Sequence, residues 1–245
     1  MGAEKVTRIV KNESYGQKIY QQLKGLIVSG QLRVGSPINE REFSDQLGVS
    51  RTPLRDALNL LEQEGWIEQD GKARKVALLH WRDMLELVEV RGPLGMLALN
   101  MAFDKITDAD IEHLEEILEE MSRYSTENSQ DYYNIMRLDT SFHSYITQIT
   151  GNSLLIRMDT QMSEKYTRAN VLSMLHSNPN GQYHASQHNA IMDALRARDR
   201  AATYLEMQKH YNVWANRMKS LPEKIGFDPE DLDAVIYEQF IKSDK

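Results

Sequence analysis

The stretch VSRTPLRDALNLLEQEGWIE, residues 49–68, decides the fold. Leu54, Leu58 and Leu61 recur at helical spacing, so the segment reads as a helix capped at Ser50 and ended by Gly65. Its first two turns carry Arg51, Thr52 and Arg55. A helix used only for packing has no need of a basic, hydroxyl-rich nose. A helix that enters a DNA major groove by its N-terminus does, because Arg suits guanine O6 and N7 and hydroxyls donate to phosphate.

The flanks complete the pattern. A helical stripe of Tyr15, Ile19, Leu23 and Ile27 begins near Ser14 and stops at Gly30. GQLRVGSPI then reads as a turn and a short extended arm. Asn39 with Glu42 three positions on forms a capping-box pattern for a short helix that carries Phe43 and Leu47 inward and ends at Gly48. After Gly65 come two β-leaning stretches around Asp70-Gly71, a hairpin signal. Gly71 allows a close backbone approach at the tip, with Lys72, Arg74 and Lys75 beside it. Three helices and a hairpin in this order make a winged helix-turn-helix. Protein contact is the bland alternative use of such a unit, and its arginines then form a solvated pair.

Composition bounds the rest. At 245 residues with 41% hydrophobic content the chain can bury a core in one large or two modest domains. Residues 1–79 hold 12 Lys/Arg against 10 Asp/Glu, and the remainder 17 against 26, so a slightly basic part precedes an acidic body. The absence of cysteine excludes disulfides, zinc ribbons and thiol catalysis. No apolar run approaches a membrane span, the N-terminus lacks a signal-peptide centre, and Val6 breaks the myristoylation pattern after Gly2, which together lead us to expect a cytoplasmic protein.

Beyond Leu79 the pattern is almost wholly helical. Helices are expected from Trp81 to Ala102, kinked at Gly92-Pro93, and from Thr107 through Ile111, Leu114, Leu118 and Met121. More follow at Tyr132–Thr150, Ser153–Met174, Ala185–Ala197 and Asp199–Leu221, with HSNPNGQY (176–183) as a loop. The tail offers a helix start at Asp228-Pro229 followed by Leu232, Ile236 and Phe240, a peripheral clasp. The expected architecture is mostly α: a winged helix-turn-helix over 1–79, an antiparallel helical bundle over 80–221, and a tail over 222–245.

The bundle carries the second constellation. In LDTSFHSYI, Asp139 and His143 lie four apart on the inward stripe Ile135, Asp139, Phe142, His143, Ile146. A bare charge facing a core is costly, so the pair needs a partner. His188 precedes Ile191, Met192 and Leu195, and His210 lies between Met207 and Trp214. One Asp and three His from three helices would suit zinc, nickel, cobalt or manganese. The same residues also read as satisfied core polar groups, and His184, four before His188, makes a competing pair. His80 and His113 read as surface or boundary residues, and His176 falls near the loop.

INEREFSDQLGVSRTPLRDALNLLEQEGWI (38–67) and the wing QDGKARKV (69–76) resemble the DNA-binding domain of the GntR family of bacterial transcription regulators, in its fatty-acid-regulator branch. By that resemblance Arg41, Arg51, Thr52, Arg55 and Gly71 fall where the family contacts operator DNA. The family often has His where this chain has Asp70. LVEVRGPL, DTSFH, TGNSLL, QHNAIMDALRARDRAAT and MQKHYNVW are similar to the FCD effector domain, where an Asp-x3-His pair and two later histidines hold a metal. The resemblance implies Asp139, His143, His188 and His210 as ligands, with Arg91 neutralising a carboxylate effector. The family often carries Glu where this chain has Gly95. It further implies a homodimeric regulator, a repressor of a palindromic operator, that responds to a small organic acid. The alternative is a metal-dependent hydrolase or lyase with an accessory winged helix, but no spare carboxylate on the inward stripes offers the general base it needs.

Overall fold

The structure, a computed structural model, describes residues 15–71, 73–128, 131–177 and 181–236, and over 175–177 and 181–186 the backbone alone. The described residues divide into two compact units, with the break between Ala77 and Leu78.

The first unit holds α1 (Tyr15–Val28), β1 (Pro37–Ile38), α2 (Glu40–Leu47), α3 (Arg51–Gln63), β2 (Ile67–Asp70) and β3 (Ala73–Val76). Asn39 caps α2 by accepting from the backbone N–H of Arg41 at 3.2 Å and of Glu42 at 3.3 Å. Gly48 ends it at φ +63°, a conformation that side-chain-bearing residues resist. Leu54, Ala57, Leu58 and Leu61 of α3 are fully buried, with Ile19, Leu23 and Ile27 of α1 and Trp66, Ile67 and Val76 of the wing. The extended arm pairs as a third strand, giving the order β1-β3-β2, all antiparallel. Tyr15 departs from the expected stripe: it is 76% exposed, one turn ahead of the first buried residue of its face. Phe43 and Leu47 are only half-buried, because a two-turn helix at the surface cannot sink its apolar side. Ser50 occupies the N-cap position of α3 with extended backbone but makes no side-chain cap bond.

The second unit is a helical bundle of α4 (Trp81–Ala102), α5 (Asp108–Glu127), α6 (Tyr132–Ile149), α7 (Ser153–Ser177), α8 (Gly181–Arg196), α9 (Arg200–Lys219) and α10 (Leu221–Ile225), with a 3-10 turn at Phe103–Lys105. Thr107 and Asp110 cap α5 reciprocally. Helix α6 packs among α4, α5 and α7, while α8 packs on α5 and α9. Its inward Ile135, Phe142 and Ile146 join a core shared with Leu114 and Met121 of α5 and Ile191 and Leu195 of α8.

Helix α4 continues through Gly92-Pro93 as one helix; Glu89, whose carbonyl loses its donor there, is exposed, so water can replace the bond. Two expectations need correction. The loop expected over 176–183 is shorter, since α7 continues to Ser177 and α8 starts at Gly181, and its remainder lies outside the described residues. The tail is not a helix after Pro229. It runs back along the start of α4, where the backbone N–H of Trp81 donates to Ala234 O at 2.9 Å and that of Arg82 to Leu232 O at 3.0 Å. Those N–H groups have no partner inside their own helix, and the tail supplies it. Ile236 is buried in this clasp, and Phe240 lies outside the described residues.

Candidate functional site

Two constellations carry the chemistry. In the first unit, Arg41 on α2 and Ser50, Arg51, Thr52 and Arg55 at the start of α3 are all exposed. Gly71 stands at the wing tip with φ +62°. Lys72 lies outside the described residues. The other wing cations point elsewhere than the tip position suggested. Arg74 donates from Nε to Glu62 at 2.9 Å, from Nη1 to Glu40 at 3.3 Å and from Nη2 to Asn59 at 2.5 Å, which ties β3 down onto α3. Lys75 lies 3.3 Å from Glu68 and 3.7 Å from Asp70. Glu40 also accepts from Arg55 Nε at 2.8 Å, so one carboxylate links the wing to the arginine expected to read bases. In the sequence Glu40 reads only as an acid in a first helical turn. Arg74→Ala is therefore expected to cost about 1–2 kcal/mol of stability, measured by denaturant unfolding, because it unpairs the partly buried Glu62 and takes from Glu40 one of its two arginines. An unchanged unfolding midpoint would reduce this network to surface ion pairing.

In the second unit, Asp139 and His143 of α6, His188 of α8 and His210 of α9 converge so that one ligand atom from each lies within 4.8 Å of the others. All four are buried, from 0% to 4% exposed. His143 Nε2 is 3.0 Å from His210 Nε2, and His188 Nε2 is 3.2 Å from Asp139 Oδ1. Two bonds of about 2.1 Å meeting at roughly 90–109° hold their donors about 3.0–3.4 Å apart, so the spacing fits a borderline divalent cation. Asp139 Oδ2 is buried without a hydrogen-bond partner among the described residues, an orphan that a cation would satisfy. His184 lies on α8, but its side chain is outside those described. His80 begins α4 and His113 is half-exposed on α5, both away from the cluster, while the side chain of His176 is outside those described.

The electrostatics favour ligation. Burial opposes ionisation of Asp139, yet the hydrogen bond to His188 and the three imidazoles hold its carboxyl well below the usual range. Burial, with His188 and Arg91 nearby, pushes His143 down to about 3 against the pull of Asp139, so the ring is neutral as a ligand must be. Arg91 is buried on α4, donating from Nη1 to Asp159 Oδ1 at 2.5 Å and lying over the Tyr166 ring at 4.9 Å. Its Nε and Nη2 find no hydrogen-bond partner among the described residues. Asp159 also accepts from Ser144 Oγ at 2.6 Å. These α7 residues were missed in the sequence, although Asp159, Ser163 and Tyr166 form a buried polar stripe at helical spacing. No helix among the described residues is long and apolar enough to cross a membrane.

Comparison with known proteins agrees with both halves. Residues 86–213 match the FCD domain, and residues 16–74 match the bacterial regulatory proteins of the gntR family. The chain is 26% identical over 222 residues to the uncharacterized HTH-type transcriptional regulator YdhC of Bacillus subtilis, covering 89% of this chain and 96% of the relative. It is 28% identical over 224 residues to the HTH-type transcriptional repressor RspR of Escherichia coli, covering 89% and 95%. Among solved structures, E. coli McbR/YncC has the same fold, with a TM-score of 0.72 at 20% identity over 84% of this chain and 97% of that one.

Proposed function

Because the chain belongs to the FCD-domain regulators of the bacterial GntR family, we propose that it acts as a homodimeric, cytoplasmic repressor whose hold on a palindromic operator is set by a small carboxylate bound at a metal. The matching families and relatives are transcription regulators rather than enzymes, so the hydrolase or lyase alternative has no support. In this reading residues 1–79 bind DNA, residues 80–221 bind the effector, and residues 222–245 form a tail whose described part, to Ile236, clasps the start of the bundle.

The observation that carries the effector reading is the buried Asp139, His143, His188 and His210 cluster. These four residues would hold zinc, nickel, cobalt or manganese. The bound cation would offer coordination positions to a carboxylate. Arg91 supplies the second charge: its two unpartnered N–H edges are costly while buried, and an anion satisfies them. Arg41, Ser50, Arg51, Thr52, Arg55 and Gly71 form the DNA face, with the arginines on bases and the hydroxyls and the Gly71 backbone on phosphates. The effector alters operator affinity by as much as its own affinity differs between the DNA-competent state and the released one. Repression is supported by the name of RspR, a relative across 95% of its length.

The test is a screen of small carboxylates against a preformed operator complex, with metal-replete and metal-stripped protein. At least one acid should release the replete protein from DNA and fail with the stripped protein. Equal release from both would remove the metal from the mechanism. A palindrome read by two recognition helices also requires a two-fold protein. Sedimentation at micromolar concentration is expected to give a mass near twice 28.3 kDa. A monomer that still bound the palindrome tightly would contradict the dimer.

A further inference from the structure

Helix α4 lacks side-chain bulk where it meets α9. A Cβ added at Gly95 would lie 1.9 Å from Tyr211 Oη and 2.4 Å from its Cζ, and one at Gly92 would sit 3.7 Å from Tyr211 Cβ. Gly95 is not at positive φ, so packing rather than backbone conformation calls for glycine there. Glycine is a poorer helix former than alanine, so α4 gives up some intrinsic stability at this position. What fills the space is the Tyr211 ring. The hydroxyl then reaches His143 Nδ1 at 3.1 Å, on the far side of that ring from the nitrogen that faces the other ligands.

Gln187 Oε1 lies 3.0 Å from His210 Nδ1, and with the amide in this orientation it accepts, which puts the His210 proton on Nδ1 and leaves its Nε2 without one. His143 Nε2, 3.0 Å from that bare nitrogen, therefore donates to it, which leaves His143 Nδ1 to accept from Tyr211. To ligate through Nε2, His143 must carry its proton on Nδ1 instead, and that N–H then needs an acceptor. A phenol hydroxyl turns to serve either tautomer, donating in one and accepting in the other. A Phe ring serves neither.

We propose that Tyr211 is the positioning residue that holds His143 in its metal-binding tautomer, and that Gly95 is the vacancy in α4 that admits it. This rests on the metal reading of the cluster. A side chain at Gly95 would push the hydroxyl away from His143. Partners that orient ligating histidines typically account for about 10–100-fold in metal affinity.

The experiment is zinc affinity by chelator competition on the full chain, with the folded state of each metal-free variant checked by circular dichroism. Tyr211→Phe should bind zinc about 10–100-fold more weakly. Gly95→Ala, which keeps the hydroxyl but displaces it, should show a similar loss. Long-range proton–nitrogen spectra of the zinc-bound wild type should show the His143 proton on Nδ1. Wild-type affinity in Tyr211→Phe or in Gly95→Ala, or a His143 proton on Nε2 with zinc bound, would each overturn the assignment. A wild-type protein that binds no divalent metal would instead overturn the metal reading on which it stands.

Discussion

If the cluster holds one divalent ion per chain as proposed, His188→Ala and His210→Ala are expected to purify with a small fraction of the wild-type metal content. Each change removes one of four buried donors held within 4.8 Å. Asp139 supplies charge and the imidazoles supply directional nitrogens, so three remaining ligands bind more weakly and less selectively. An ion at this site would join α6, α8 and α9 in the native state alone, and a ligand present at about 100–1,000 times its Kd adds roughly 2.7–4.1 kcal/mol. For a chain of this size that is a fall of about 5–15 °C in melting temperature when the wild type is stripped. Both variants should melt low and gain little from added metal. His188 also packs edge-on against Phe142 at 4.9 Å, so its removal leaves a hole. Melting each variant against the stripped wild type separates that cavity cost from the lost ion. His184→Ala should keep its metal. Stoichiometric metal in His188→Ala but not in His184→Ala would move the ligand one turn along α8, and a metal-free wild type that still answers its effector would remove the site.

Arg51→Ala and Arg55→Ala should each weaken specific operator binding by about 1–3 kcal/mol, roughly 5- to 150-fold, if the side chain reads a base bidentately. Both are exposed at the N-terminal end of α3 and share one face four residues apart. Arg55 has a further constraint: its Nε is held by Glu40, so its fork is oriented before any DNA arrives and less side-chain freedom is lost on binding. Arg55→Lys should therefore fall nearly as far as Arg55→Ala. Competition between operator and random duplex at fixed salt measures the effect. A loss confined to random duplex would make that arginine a phosphate contact, and no loss from either variant would remove α3 from the DNA interface.

Much of this protein is written locally in its chain. Asn39, Thr107 and Asp199 announce helix starts because each satisfies N–H groups two or three residues on. Leu54, Leu58 and Leu61, or Ile135, Phe142 and Ile146, declare a buried face because side chains three and four apart share one side of a helix. The same periodicity marked Asp139, His143, His188 and His210 as inward. Resemblance to a family chose among the histidines, since spacing alone left His184 open.

Local rules were silent wherever the partner is far along the chain. Arg74 reads as a wing cation until α3 sets Glu62 and Asn59 against it. The tail reads as a helix start until the unsatisfied N–H groups of Trp81 and Arg82, some 150 residues earlier, draw it into a clasp of successive turns. Gly95, Tyr211 and His143 carry no shared pattern, and their closeness exists only because α4, α6 and α9 pack together. Helix starts, stops and faces depend on neighbours within about one turn, so the sequence by itself determined them. Which buried polar group meets which depends on how finished helices pack, and only the tertiary structure decided that.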